Sequence, residues 1–474
     1  MKNNAFAIAS DRAVLESGIR PATIVVREGV IDEVVLQRVA PPGLPVIDLG
    51  SAALLPGVID AHVHVNEPGR TEWEGFSTAG RAAVAGGVTT MVVMPLNCSP
   101  VATTVGALQG EAAAAAGRCA CDFGFWGGVV PGNRNELEPL WRAGVLGFKC
   151  FTVHSGIDEF PNVTPGDLSV AMPELARLGA KLLVHAEDPG SLEAARLASG
   201  LDAQPRHYMA YLRSRPPESE SRAVETLLKL CESTGCPVHF VHLSARESLA
   251  LVASAKGRLP ISAETCPHYL ALVAEEIADG ATAFKCAPPI RERMHREALW
   301  EALRSGVLDL VASDHSPAPP ELKSLQEGNF AKAWGGIAGL QVQLPAVWAG
   351  AHARGFSLMD IARWMSAAPA RLGGIESQKG ALKPGLDADL VVFDPEAPWT
   401  VRGGELEHRH KATPYDGRPV RGRVQGTFLR GNLVFSCLDA LTRQAGGALS
   451  NDGFSVEAYG RWVKRSRAST TSPT

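Results

Sequence analysis

The sequence predicts an α/β protein in which a (β/α)8 TIM barrel carries a small β-sandwich built from both ends of the chain. Three observations predict it. Between residues 57 and 375, strand-like runs alternate with helical stretches, the pattern of a parallel α/β architecture. Residues 6–54 instead hold short β-like runs (TIVV, VIDEVVL, LPVIDL) separated by turns, with no long helix. The same texture returns over residues 380–435, in GALKPGLDADLVVFD and PVRGRVQGTFLRGNLVF. The expected division is residues 1–54 as the first part of the sandwich, 55–375 as the barrel, 376–435 as the second part, and 436–474 as a C-terminal extension.

Eight β-like runs occupy the barrel region: GVIDAHVH, GVTTMVVMP, CDFGFWGG, GVLGFKCF, KLLVHA, PVHFVHL, ISAETC and LDLVASD. Helical candidates fill the gaps, among them TEWEGFSTAGRAAVAGG, PESESRAVETLLKLCESTG, ARESLALVASAKG and MHREALWEALRSG, each ending on a glycine suited to the turn after a helix. Eight strand-helix units predict a closed barrel. An alanine run at residues 112–116 suits a helix. In the extension a short helix is expected over residues 456–464, and mobility in the final ten residues.

A chain of 474 residues, 45% hydrophobic and 20% charged, can bury one large and one smaller core. The net charge of −4 leaves no basic field for nucleic acid or an anionic membrane. No run approaches the ~18 apolar residues of a membrane span. Nine cysteines without scaffold spacing predict reduced thiols and a cytoplasmic protein. The pair Cys119 and Cys121 lies in a strand-like run and reads as packing, since a zinc ribbon needs a second pair nearby. A small-molecule partner is expected.

The most specific local signal is His62-Val63-His64 at the end of the first barrel strand, where a period of two points both imidazoles to one face. Four further residues fall at equivalent strand ends: Lys149 in GFKCF, His185 in LLVHAED, His242 in VHFVHLS and Asp314 in LVASDHSP. Barrel active sites assemble at this carboxyl rim. Any one strand-end histidine reads as a structural residue; six such side chains on one rim read as a metal site. His239, three residues before His242, is expected on the opposite face, towards the helices. His268 lies on the active rim with either role open, and His315 is expected to orient its loop.

On these residues the chain resembles the amidohydrolase superfamily, in the cyclic-amidase branch of dihydroorotases, hydantoinases, dihydropyrimidinases and allantoinases. The resemblance runs over nearly the whole chain, sandwich included. It implies two divalent metal ions, most commonly zinc, with cobalt, manganese or iron acceptable to the same nitrogen and oxygen donors. It further implies that carbon dioxide carboxylates Lys149 to a carbamate bridging both ions, that His62, His64 and Asp314 hold one ion, and that His185 and His242 hold the other. Water activated between the ions would attack the amide carbon, with Asp314 passing the proton to the departing ring nitrogen. Relatives commonly form homotetramers.

Departures within the branch sort the substrate. Dihydroorotases usually place an arginine two residues after the second histidine of the HxH pair to bind a carboxylate; here the stretch reads HVHVNEPG, with Asn66. An uncharged cyclic amide or ureide is therefore expected. Dihydropyrimidinases and hydantoinases usually carry a tyrosine five residues after the bridging lysine, where this chain has His154, whose N–H could donate to a developing oxyanion. The blocks GFKCFTVHSGIDEFPNVT, EPGRTEWEGF, MPLNCSP, FKCAPPIR, SDHSPAPPELK and AWGGIAGLQ resemble allantoinases, many of which have serine in place of Ala287. The resemblance thus implies opening of the hydantoin ring of allantoin to allantoate, with a hydantoinase or dihydropyrimidinase as alternative and a non-catalytic scaffold as a remote one. Asn97, Ser316, Gly335 and Gly336 are candidate substrate contacts; a turn cap, a loop brace and close packing are their competing roles.

Overall fold

The structure, a computed structural model, describes residues 5–446 and 449–465. All eight barrel strands form where the sequence placed them: Val58–Val63, Val88–Val93, Asp122–Phe125 continued by Gly127–Gly128, Phe148–Phe151, Leu182–His185, Val238–Phe240, Ile261–Thr265 and Leu310–Val311. Neighbours pair in parallel from Val58↔Val88 through Thr265↔Val311. The ring closes between its last and first strands, where Val63 bridges His315 and the His64 N–H donates to the His315 carbonyl at 2.8 Å. The third strand is interrupted at Trp126, whose indole N–H donates to the Ala61 carbonyl at 2.8 Å. Trp126 plugs the barrel, packing in one buried cluster with Ile59 and Ala61 of the first strand, Leu183 of the fifth, Val241 just past the sixth and Leu310 of the eighth.

The four quoted helical runs fold as Phe76–Ala85, Pro217–Thr234, Arg246–Ala255 and Arg293–Ser305. The last is stopped at Gly306 (φ 76°), a left-handed position that only glycine adopts without strain. The alanine run lies in the helix Val105–Ala115. No helix among the described residues is long and apolar enough to cross a membrane.

The two chain ends share one eight-stranded sheet. Its seam is the antiparallel pairing of Ala53–Pro56 with Leu390–Thr400, which joins sequence-distant segments at the foot of the barrel. The sheet curls around a core of Ile8, Ile24, Ile47, Leu54, Val392 and Phe428, until the turn at Gly431 meets Val26. Packing of TIM barrel plus small β-sandwich is thus as the sequence predicts.

The extension differs from expectation. Its helix is Asp439–Ala445, and residues 456–465 are not helical. There the Val463 N–H donates to the Phe123 carbonyl at 2.7 Å and Phe123 donates to Arg461 at 3.0 Å. The third barrel strand breaks at Trp126, leaving the Asp122–Phe125 edge with unpaired amides, and the extension pairs with that edge instead of coiling. The mobility expected of the final ten residues falls on 465–474, of which 466–474 lie outside the described residues. All nine cysteines are unpaired, with Cys119 and Cys121 buried in the core, their sulfurs 3.7 Å apart.

Candidate active site

The carboxyl ends of the barrel strands bring His62, His64, His185, His242 and Asp314 into one wall of a cavity of about 590 Å³. Lys149 is fully buried beneath them, its Nζ 3.9 Å from the centre of the Phe151 ring. Between the pairs Asp60↔Met91 and Val63↔Val93 the first strand has two residues, Ala61 and His62, opposite the single Val92 of its neighbour, and this bulge re-aims the histidine pair. The Asp314 Oδ1 then lies 3.3 Å from His62 Nε2 and 3.5 Å from His64 Nε2. His185 Nδ1 and His242 Nε2 face each other at 3.0 Å. His242 (φ 39°) and Asp314 (φ 46°) both hold left-handed backbone, a strained conformation for such side chains that packing must enforce.

Each of three imidazoles is gripped from behind through its other nitrogen. His62 Nδ1 meets Glu264 at 2.6 Å, His185 Nε2 meets Glu187 at 2.7 Å, and His64 Nδ1 meets the Asn97 amide at 3.1 Å. A carboxylate there fixes the tautomer, leaving the opposite nitrogen's lone pair turned to the cavity. Asn97 Oδ1 is buried without another partner, and the amide turned with Oδ1 towards the ring accepts from His64 Nδ1–H. Burial raises the Glu264 carboxyl, but His62 and His239 outweigh it and hold it down at about 2. For Glu187, burial is likewise outweighed by Arg215 and His185, again giving about 2. Burial lowers His64 to about 4, and also lowers His185 and His242, so these imidazoles are neutral donors at pH 7.

His239 is where the expected geometry fails. It points into the barrel, behind His62, and not to the helices: its Nδ1 meets Ser262 Oγ at 2.7 Å and its Nε2 meets Glu264 at 3.0 Å. The sixth strand ends at Phe240 and the chain turns at His242, so a three-residue separation no longer means opposite faces.

These residues suit divalent ions. His62, His242 and Asp314 present atoms all within 4.8 Å of one another. Lys149 Nζ and His242 Nδ1 are buried without a hydrogen-bond partner, a costly state that a ligand or a modification would relieve. Neutral imidazoles with one carboxylate form a borderline donor set matching zinc, cobalt, manganese or iron.

The remaining candidates divide. Asn97, Ser316 and Gly335 line the cavity. Gly336 does not: a Cβ there would lie 2.3 Å from the Ser316 carbonyl oxygen, so this glycine serves close packing. His154 lies at the cavity's outer rim, largely exposed, with Nε2 at 3.1 Å from Asp158. His268 is buried with both nitrogens unpartnered, and does not line the cavity. His315 braces its loop, its Nδ1 accepting from the Gly339 N–H at 3.2 Å. Asn66 is buried and donates to the Asn97 carbonyl at 3.4 Å, away from the cavity lining.

Residues 53–434 match the Amidohydrolase family. The chain belongs to the amidohydrolase family. It is 47% identical to the allantoinase of Streptomyces avermitilis over 92% of its own length and 96% of the relative's. Identity to the allantoinase of Saccharomyces cerevisiae is 40%, over 92% of this chain and 96% of that one. Among solved structures, the L-hydantoinase (dihydropyrimidinase) from Arthrobacter aurescens superposes with a TM-score of 0.87 at 30% identity, covering 97% of this chain and 100% of that chain. Membership makes this amidohydrolase an enzyme and a hydrolase, and fits the barrel with its sandwich.

Several residues around the site were not singled out from sequence. Glu187 follows the fifth strand, two residues beyond His185, and the HAE spacing was its signal; Glu264 lies on the seventh strand, between two strands that carry candidate ligands. Arg215, which pairs with Glu187, and Lys285 and Trp334, which line the cavity, come from loops that only the tertiary fold brings in.

Proposed function

We propose that this chain is an allantoinase, opening the hydantoin ring of allantoin to allantoate, in the cytoplasm and as a homotetramer. The observation that carries the reading is the cluster of five rim residues over buried Lys149, in a chain 47% and 40% identical to the two allantoinases compared, along nearly its whole length. Nine unpaired cysteines support a reducing compartment.

His62, His64 and Asp314 would hold one ion and His185 and His242 the other, with Lys149 bridging as its carbamate. Two divalent ions, zinc by family habit, would supply Lewis acidity at the amide carbonyl and bring a water's pKa towards neutrality. Burial lowers the Lys149 ammonium to about 8, which makes available near neutral pH the amine that adds carbon dioxide, releasing a proton as the carbamate forms. Glu264, Glu187 and Asn97 hold the imidazoles with their lone pairs inward. The neighbouring His62, His64 and His242 outweigh burial and keep the Asp314 carboxyl well below the usual range. Anionic Asp314 can therefore take the proton of the attacking water at a carboxylate oxygen and return it to the departing ring nitrogen. His154 would need to swing inward from the rim to reach a developing oxyanion. Asn97, Ser316 and Gly335 offer uncharged contacts to a neutral ureide, and the inward-turned Asn66 supplies no cation for a ring carboxylate.

The alternative, a hydantoinase or dihydropyrimidinase, is favoured by the structural likeness to the Arthrobacter enzyme and differs in lacking a ureido arm to recognise. Purified enzyme assayed on allantoin, hydantoin, dihydrouracil and dihydroorotate separates the two. A kcat/KM for allantoin at least tenfold above the others is expected; equal values would overturn the assignment.

A further inference from the structure

Four cationic side chains line the cavity: Arg196, Arg215, Lys285 and Lys332. Three are neutralised by carboxylates, Arg196 by Asp202 at 3.2 Å, Lys332 by Glu327 at 3.4 Å and Arg215 by Glu187. Lys285 has no carboxylate partner among the described residues. Its Nζ donates to the Ala333 carbonyl and lies 5.2 Å from the centre of the Tyr211 ring. Whether amine or ammonium, the lysine nitrogen has two or three N–H donors, and only one is used on the protein.

The backbone behind Lys285 is unusually well held. The Lys285 carbonyl accepts from the Gly336 N–H at 3.0 Å and from Lys323 Nζ at 3.0 Å. Lys323 is buried and donates also to the carbonyls of Trp334 at 3.0 Å and Gly336 at 2.8 Å. All three donors of Lys323 thus go to three carbonyls in two rim segments, welding residues 285–287 and 334–336 into a single cavity wall. That wall aims Lys285 at whatever occupies the cavity beside the ligand cluster.

We propose that Lys285 is a specificity-determining residue that donates to the carbonyl oxygen of the ureido arm on the substrate ring, with Lys323 as its positioning residue. This rests on the allantoin reading. Glu193 lines the same cavity and has no ion-pair or hydrogen-bond partner among the described residues. A ureido group carries an acceptor oxygen and N–H donors, and matches a lysine and a glutamate together. A ring carboxylate would be attracted by Lys285 but repelled by Glu193.

The test compares kcat/KM for allantoin, hydantoin and dihydroorotate in the wild type, Lys285→Met, Lys285→Gln, Lys285→Arg and Lys323→Met, each checked for metal content and thermal midpoint. A remote hydrogen bond from the Lys285 amine or ammonium, whose pKa burial brings to about 7, predicts that Lys285→Met lowers the allantoin-to-hydantoin ratio roughly tenfold, chiefly through KM. Lys285→Gln, which keeps a donor without charge, falls between, as does Lys285→Arg. Lys323→Met lowers the same ratio with Lys285 still present. A ratio within about threefold of wild type in Lys285→Met and Lys285→Gln, from a wild type that prefers allantoin, would overturn the role of Lys285 alone. A wild type with no preference for allantoin would overturn the function reading and this inference with it. Dihydroorotate as the preferred substrate, lost in Lys285→Met, would show that the lysine reads a carboxylate instead.

Discussion

Replacing Glu264 by glutamine tests whether the residues behind the imidazoles matter to metal binding. One carboxylate serves two rings here, Oε1 to His62 at 2.6 Å and Oε2 to His239 at 3.0 Å, with all three side chains essentially without solvent. For His62 Nε2 to ligate, Nδ1 must carry the proton and donate it to Glu264. A carboxamide has only one acceptor oxygen. If that oxygen faces His62, the amide NH2 faces His239, which can adapt by moving its own proton to Nδ1, 2.7 Å from the Ser262 hydroxyl. The variant should therefore fold, and what it loses is the charge assistance on the His62 bond. Charged hydrogen bonds contribute about 1.5–3 kcal/mol against about 1 for neutral ones, so the deficit is about 0.5–2 kcal/mol, or roughly two- to thirtyfold in metal affinity. Glu264→Leu removes both acceptors and should cost roughly tenfold more again. Competition with a chromophoric chelator, starting from fully loaded protein, reads the affinity directly. Affinity of Glu264→Gln within twofold of wild type, with an unchanged thermal midpoint, would refute the reasoning.

Lys149→Ala should lower metal content below two ions per chain by elemental analysis and abolish hydrolysis, with no recovery on adding bicarbonate. Lys379→Met removes a buried ammonium from Asp122, Asp387 and Asp389, which it meets at 2.8, 2.8 and 2.6 Å, and should cost about 3–5 kcal/mol in denaturant unfolding at pH 7. Burial already raises the Asp389 carboxyl, and without the lysine it rises further. Because the native state then binds the extra proton, the deficit of this variant should narrow as pH falls from 7 towards 4. In the wild type, burial of Lys379 is outweighed by the three aspartates and its pKa is raised above 10.5; its contribution is full below that pH and is lost as pH rises through the raised value. Gly336→Ala forces a methyl to within 2.3 Å of the Ser316 carbonyl oxygen and should lower stability by about 1–3 kcal/mol while widening the cavity wall, seen as a lower thermal midpoint and a raised KM.

Much of this molecule was legible in the chain because its signals are local. Strand runs such as GVTTMVV and LLVHA carry their own β propensity, and the rim cluster is a property of where each strand stops. Inference failed where the outcome depended on a distant partner. His239 was placed on the wrong face because strand alternation was extended past Phe240, where the backbone had already left the strand. The segment around Trp462 has helical periodicity, yet it meets an unpaired strand edge, and edge pairing satisfies more backbone than an isolated short helix would. Lys285 and Lys323 carry no local signature; their meaning arises from carbonyls about 10 to 50 residues away in sequence. Gly336 was singled out correctly as unusual, but sequence could not tell a ligand's approach from that of Ser316.

The most direct test of the central claim is a titration of metal-free protein with zinc in the presence of bicarbonate, following bound metal, carbon-13 signal from the Lys149 side chain and allantoin hydrolysis in the same samples. The account predicts that activity rises to a plateau at two ions per chain, together with one carbamate carbon, and that allantoate is the product. Full hydrolytic activity with no bound metal, or two bound ions without any hydrolysis of allantoin, would contradict it.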